Sequence, residues 1–159
     1  MNRVYLFFLL ISLEACVGHT VNFIQEPYTS EQAVLKKRLE QIFAFGANKN
    51  FKELEAAHLY GPKFTKFDDW EPLTRQDAET AKKGEKEAFM SVKDFAYSIH
   101  DFKADVFGKI AVTTFSVDYG MQLDKDKIKA KARATIVFIK DGNDWKITHE
   151  HFSPFKANP

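Results

Sequence analysis

Cysteine occurs once in this 159-residue chain, at Cys16, so a domain built from the residues beyond it can form no internal disulfide. Apolar runs long enough to cross a bilayer, which need ~20 residues, are missing as well. The longest, "VYLFFLLISL" from Val4 to Leu13, stops at ten. Charge of one sign is not in excess: 23 Lys and Arg stand against 22 Asp and Glu, which leaves nothing to neutralise a run of phosphates and excludes nucleic acid as a partner. A glycine-rich phosphate loop, a nucleophile elbow and a Cys-x-x-Cys pair are also lacking, and with them the commonest nucleotide, acyl-transfer and dithiol chemistries. What the chain does have is sixteen phenylalanines in a composition that is 45% apolar and 28% charged, typical of a globular fold. Its length suits one domain, since single domains run to ~100–200 residues.

The apolar start follows Arg3 and has the dimensions of a secretory signal core, so residues 1–18 read as a leader and 19–28 as a polar tether. "LEAC", ending at Cys16, resembles a bacterial lipoprotein box, with Leu13 and Ala15 in place and Glu14 out of pattern. Two readings stay open: lipidation of Cys16, or ordinary cleavage near Gly18. The expected location is outside the bacterial cytoplasm, either periplasmic or secreted, with membrane contact only through a lipid on Cys16.

From residue 29 the punctuation predicts structure. "TSEQAVLKKRLEQIFAFG" is a helix with Thr29 and Gln32 at capping-box spacing and Leu35, Leu39, Ile42 and Phe43 on one face. "NKNFKELEAAHLYGP" is a shorter one, capped by Asn50 and ended by Gly61-Pro62. A brief extended piece at 64–67 leads to a charged helical segment introduced by Pro72 and Thr74, thin on its apolar face and weakened by Gly84. Four long β-rich runs follow, 93–106, 110–122, 128–140 and 145–152, separated by polar or glycine-bearing turns. Helices first and an antiparallel meander afterwards describe an α+β domain over residues 29–155, and long strands of this kind coil strongly.

The stretch "ARATIVFIKDGNDWKITHEHFSP", 132–154, resembles the closing hairpin of SnoaL-like proteins in the nuclear transport factor 2-like (NTF2-like) superfamily. Arg133, Thr135, Asp141, Gly142, Trp145, His149, His151 and Ser153 carry the likeness. The resemblance implies a cone-shaped α+β barrel, helices packed on a strongly curved sheet, a pocket between them and a homodimer formed through the sheet. It implies no single activity, because isomerases, dehydratases, epoxide hydrolases, cyclases and association domains share the fold. The charged segment "WEPLTRQDAETAKKGEKEAF" is long where a relative would carry its pocket-covering helix.

Strand alternation groups the chemistry. Trp145, Ile147, His149, His151 and Ser153 fall on one face of the final strand, Arg133, Thr135, Val137 and Ile139 on one face of its neighbour, and Val112, Thr114, Ser116 and Asp118 on the next. If all three sets point inward, a single cavity holds Asp118, Arg133, His149 and His151. Asp118 would then remove a proton beside a carbonyl, a histidine would donate one, and Arg133 would hold a carboxylate or developing enolate. The competing reading is structural, with Arg133 pairing Asp118 across strands. The resemblance places Asp68, Asp69 and Trp70 at a pocket-rim loop, where the indole would stack on a ligand; the other reading is a turn with two solvated acids and an aromatic packed on the core. His149-x-His151 offers two imidazoles, but zinc takes three or four ligands, and His58, His100 or Asp118 would have to complete the set; no metal or other cofactor is expected. The favoured expectation is a binder of a small, partly apolar molecule through Trp70, Asp118, Arg133, His149 and His151. The alternatives are an acid–base enzyme using Asp118, His149 and His151, and a structural homodimer whose cone is filled by phenylalanine.

Overall fold

The computed structural model describes Asn22 and residues 24–155; the expected leader and Cys16 lie outside the described residues. Three helices precede and interrupt a five-stranded sheet: α1 (Thr29–Ala47), α2 (Phe51–Ala56), β1 (Thr65–Phe67), α3 (Ala78–Ser91), β2 (Val92–Phe107), β3 (Ile110–Leu123), β4 (Asp126–Asp141) and β5 (Asp144–Pro154). Among the described residues no helix is long and apolar enough to cross a membrane.

Leu35, Leu39, Ile42 and Gly46 recur at helical spacing and form the buried seam of α1, which lies on the sheet. The capping box expected at Thr29 is absent. Tyr28 takes the N-cap position, in left-handed backbone, and no side chain caps the helix. Arg38 ties the same helix to the start of β5: its guanidinium donates to the Trp145 carbonyl at 3.1 Å and to Asp144 at 2.8 Å. The indole of Trp145 is fully buried beneath. α3 starts later than Pro72 and Thr74 imply, at an Asp77 cap whose side chain accepts the Thr80 N–H at 2.9 Å, a bond usually worth ~1 kcal/mol.

The sheet order is β1-β5-β4-β3-β2. β2 to β5 form the expected antiparallel meander, and β1 adds a parallel strand beyond β5, with Lys66 opposite Glu150. Curvature comes from irregular pairing. The β2–β3 register shifts between Lys93 and Ala96 and again between His100 and Lys103, and Asp94 and Asp101 adopt φ of 51° and 50° there. Aspartate tolerates that backbone, and each bulge bends and twists its strand. The sheet wraps α1, and the core fills its concave side with Ala111, Phe115 and Val117 from β3, Ala132, Ala134, Ile136 and Phe138 from β4, and Trp145 and Ile147 from β5.

The inward faces are therefore not the ones the alternation argument proposed. On β3 and β4 the expected sets, Val112 to Asp118 and Arg133 to Ile139, turn out to line the convex side, because the opposite set on each strand is the more apolar and takes the core. On β5 alternation is broken. Ile147 pairs with Phe138 but His149 pairs with Val137, so Thr148 is an extra residue. Trp145 and Ile147 face inward ahead of this bulge, and Glu150 and Phe152 face inward after it, which turns His149 and His151 outward.

Candidate functional site

A cavity of about 210 Å³ opens between α1, α3 and the concave sheet. Its walls are chiefly apolar: Ile42 and Phe43 of α1, Ala88 and Phe89 of α3, Val92 and Phe95 of β2, Val117 and Met121 of β3, Ile136 of β4 and Phe152 of β5. The phenylalanines line this space without filling it. α3 explains its own thin apolar face here. Ala81, Glu85 and Phe89 stand four apart on one side, so the helix roofs the cavity with an acid and an aromatic ring.

From the floor to the acid of α3 runs a desolvated ion cluster. Lys66 of β1 is buried, with its ammonium 2.7 Å from Glu85, 3.2 Å from Glu150 and 3.4 Å from Asp68. Burial works against the Lys66 charge, but Glu150, Glu85 and Asp68 outweigh it and raise its pKa well above the ordinary lysine value. Glu150 shows the counterpart: burial favours its neutral form, Lys66 and then His58 overcome that, and its pKa falls far below the usual carboxylate range. His58 lies behind the pair, held by the bridge its backbone makes with Ile147. Its Nδ1 is 2.7 Å from the Leu54 carbonyl, which can only accept, so Nδ1 carries the hydrogen. Nε2 then faces Glu150 at 3.6 Å and Glu85 at 3.9 Å. Burial opposes the imidazolium, yet Glu85 and Glu150 prevail and raise the His58 pKa. Tyr60 stacks on the His58 ring at 4.8 Å and donates its hydroxyl to Glu85 at 3.0 Å.

His58, Glu85 and Glu150 present three potential metal ligands within 4.8 Å of one another. The Lys66 ammonium already contacts both carboxylates, so a divalent ion would have to displace a buried cation.

At the mouth, Trp70 Nε1 donates to the Tyr119 hydroxyl at 2.9 Å, and that hydroxyl donates to Asp69 at 2.6 Å. The Asp69 pKa is raised. Burial is the main cause, the Tyr119 hydrogen bond works against it, and Asp68 next door adds to it. The Tyr119 phenol is pushed up in turn by burial and by Asp69. Trp70 is 43% exposed at this mouth.

Of the residues singled out in the sequence, Trp70 and its neighbours Asp68 and Asp69 line this cavity. Asp118, Arg133, His149 and His151 share the convex face instead. Asp118 contacts His100 at 3.1 Å and Lys131 at 3.5 Å rather than Arg133, whose guanidinium sits over the Phe155 ring at 5.7 Å. His149 Nδ1 is 2.8 Å from the Thr65 hydroxyl, and burial followed by the charge of His151 lowers its pKa. The ring of His151 lies 5.5 Å from that of Phe67. Sequence reasoning missed Lys66, Glu85, Tyr119 and Glu150. The one signal for Glu150 was its place two residues from Phe152, on the face that alternation set opposite the histidines.

With this geometry in view, comparisons locate the chain among known proteins. No curated protein matches it in sequence. Among solved structures, a candidate dehydratase of the NTF2-like family from Streptomyces avermitilis superposes with a TM-score of 0.72 at 14% identity, over 81% of this chain and 99% of that one. A candidate scytalone dehydratase from Novosphingobium aromaticivorans gives 0.70 at 11% identity, over 80% and 86%. A CaMKII hub homology domain from Chlamydomonas reinhardtii gives 0.65 at 15% identity, over 79% and 98%. Identities this low establish shared fold alone. The SnoaL-like domain family matches residues 35–157, and this chain is a member of that family, built on the NTF2-like cone.

Proposed function

We propose that this protein is an exported domain that binds a small, partly apolar molecule in its cone. The observation that carries the reading is the cavity itself: apolar walls, a desolvated ion cluster at the floor, and hydrogen-bonding groups from Trp70, Tyr119 and Asp69 at the mouth. The apolar leader supports export, and the likeness to a hub homology domain supports assembly with further copies of the chain. The test is an NMR titration with 2-naphthol, a neutral aromatic of suitable size. Saturable shifts should concentrate at Phe89, Phe95 and Met121, and Trp70→Ala should weaken binding by about tenfold, the loss of ~1.4 kcal/mol expected for one stacked indole. Shifts confined to the convex face, or none that saturate, would sink the proposal.

One observation favours turnover of the bound molecule as a second reading. Asp69 stands at the cavity mouth with a pKa displaced upward, which suits it to take a proton from the bound molecule, while Tyr119, whose one hydroxyl hydrogen goes to Asp69, holds that carboxylate in place. The likeness to two candidate dehydratases supports this choice of chemistry. Asp69→Asn should then cut kcat on any substrate found by at least about 100-fold, while an unchanged kcat returns the protein to the class of binders.

A further inference from the structure

Resting on the pocket reading above, we infer that the molecule bound in the cone carries a protonated amine on its aromatic or alicyclic body. Five carboxylates line the cavity, those of Asp68, Asp69, Glu71, Glu85 and Glu150, against the single ammonium of Lys66. That ammonium is already committed, with Glu85, Glu150 and Asp68 all within 3.4 Å of it. No arginine or histidine lines the cavity among the described residues, so an acidic ligand would meet repulsion and find no free cation.

A separate observation points the same way. Glu150 lines the cavity at 4% exposure, and its Oε2 is ion-paired with Lys66 Nζ at 3.2 Å but accepts no hydrogen bond. An ion-paired carboxylate oxygen with no hydrogen bond of its own keeps an open acceptor position, which a donor brought by the ligand would use. The aromatic surfaces fit the same chemistry. Phe95 lies against Tyr119 with ring centroids 6.3 Å apart, Phe89 meets Phe95 edge-on at 5.2 Å, and the indole of Trp70 stands at the mouth, so an ammonium entering there meets π faces as well as carboxylates. Arg133, expected to hold a carboxylate or enolate, lies outside this lining.

The experiment is a calorimetric titration of the full mature chain at pH 7.5 with three probes of matched shape: 2-phenylethylamine, 2-phenylethanol and phenylacetate. The amine should bind about tenfold more tightly than the alcohol, with phenylacetate weaker than both, and 0.5 M salt should narrow the gap. In Asp69→Asn, and separately in the loop variant Glu71→Gln, the ratio of amine to alcohol affinity should move toward one. Equal affinities for amine and alcohol, or preference for phenylacetate, overturn the charge selectivity while leaving a pocket that binds. Absence of saturable binding by all three overturns the pocket reading and this inference together.

Discussion

His58 illustrates how one side chain can set the response of this molecule to pH. Its Nδ1 hydrogen is committed to the Leu54 carbonyl and its Nε2 faces two carboxylates, so the folded state holds its second proton more tightly than the unfolded chain does. Stability from that proton is fully present below the ordinary histidine value of about 6.5 and is lost as pH rises through the raised folded pKa. His149 has the opposite sign: its lowered pKa means that the folded state loses stability as pH falls below about 6.5. Glu150, lowered from about 4.5, costs stability only at more acid pH still. Urea unfolding followed by circular dichroism should therefore weaken on going from pH 6.5 to 8.5, and His58→Gln should flatten that limb. Curves that stay parallel would show that His58 is not the group responsible. Very little of this was legible in the sequence. A lysine in "FTKF" and a glutamate in "HEH" look like solvated charges, and only the pairing of Lys66 with Glu150 across β1 and β5 makes them each other's reason for burial.

At the scale of elements, α1 and α3 meet where Gly46 leaves room for Phe89. A Cβ at position 46 would collide with the Phe89 ring, which is itself wedged against Phe95 at the cavity wall. Gly46→Ala sets a helix-propensity gain of up to ~1 kcal/mol against an overpacking cost of ~1–3 kcal/mol. The expected balance is a loss of about 1 kcal/mol in urea unfolding together with displacement of Phe89. A crystal structure of the variant with that ring unmoved would refute the account. The elements themselves were well announced, since turns at Gly108, Asp124 and Gly142 and the seam of α1 are local signals. Their faces were read less well. Comparing Ala111, Thr113, Phe115 and Val117 with Val112, Thr114, Ser116 and Asp118 would have identified the inward set on β3 by apolarity. No such comparison finds the extra residue in β5, because a bulge is a property of the pair of strands and not of either sequence.

For the whole molecule, the α+β class was readable from the order of helices and strands, and the cone from the resemblance of residues 132–154 to SnoaL-like proteins, whereas the site was not, because it is assembled from distant segments. Lys66 and Asp69 come from β1 and the loop after it, Glu85 and Phe89 from α3, Tyr119 from β3 and Glu150 from β5. Sequence patterns place residues on faces but do not say which short strand will join a sheet edge. The parallel pairing of β1 with β5 has a further consequence, one of timing. During synthesis and folding, Lys66 has only Asp68 and Glu85 for company until β5 is made, and the contact that completes the floor closes a loop of more than half the chain. Contacts so distant in sequence form slowly. A nascent or truncated chain that stops before β5 thus lacks both Glu150 at the floor of the pocket and the tryptophan that anchors α1, so a closed cavity marks a chain that has been finished and folded.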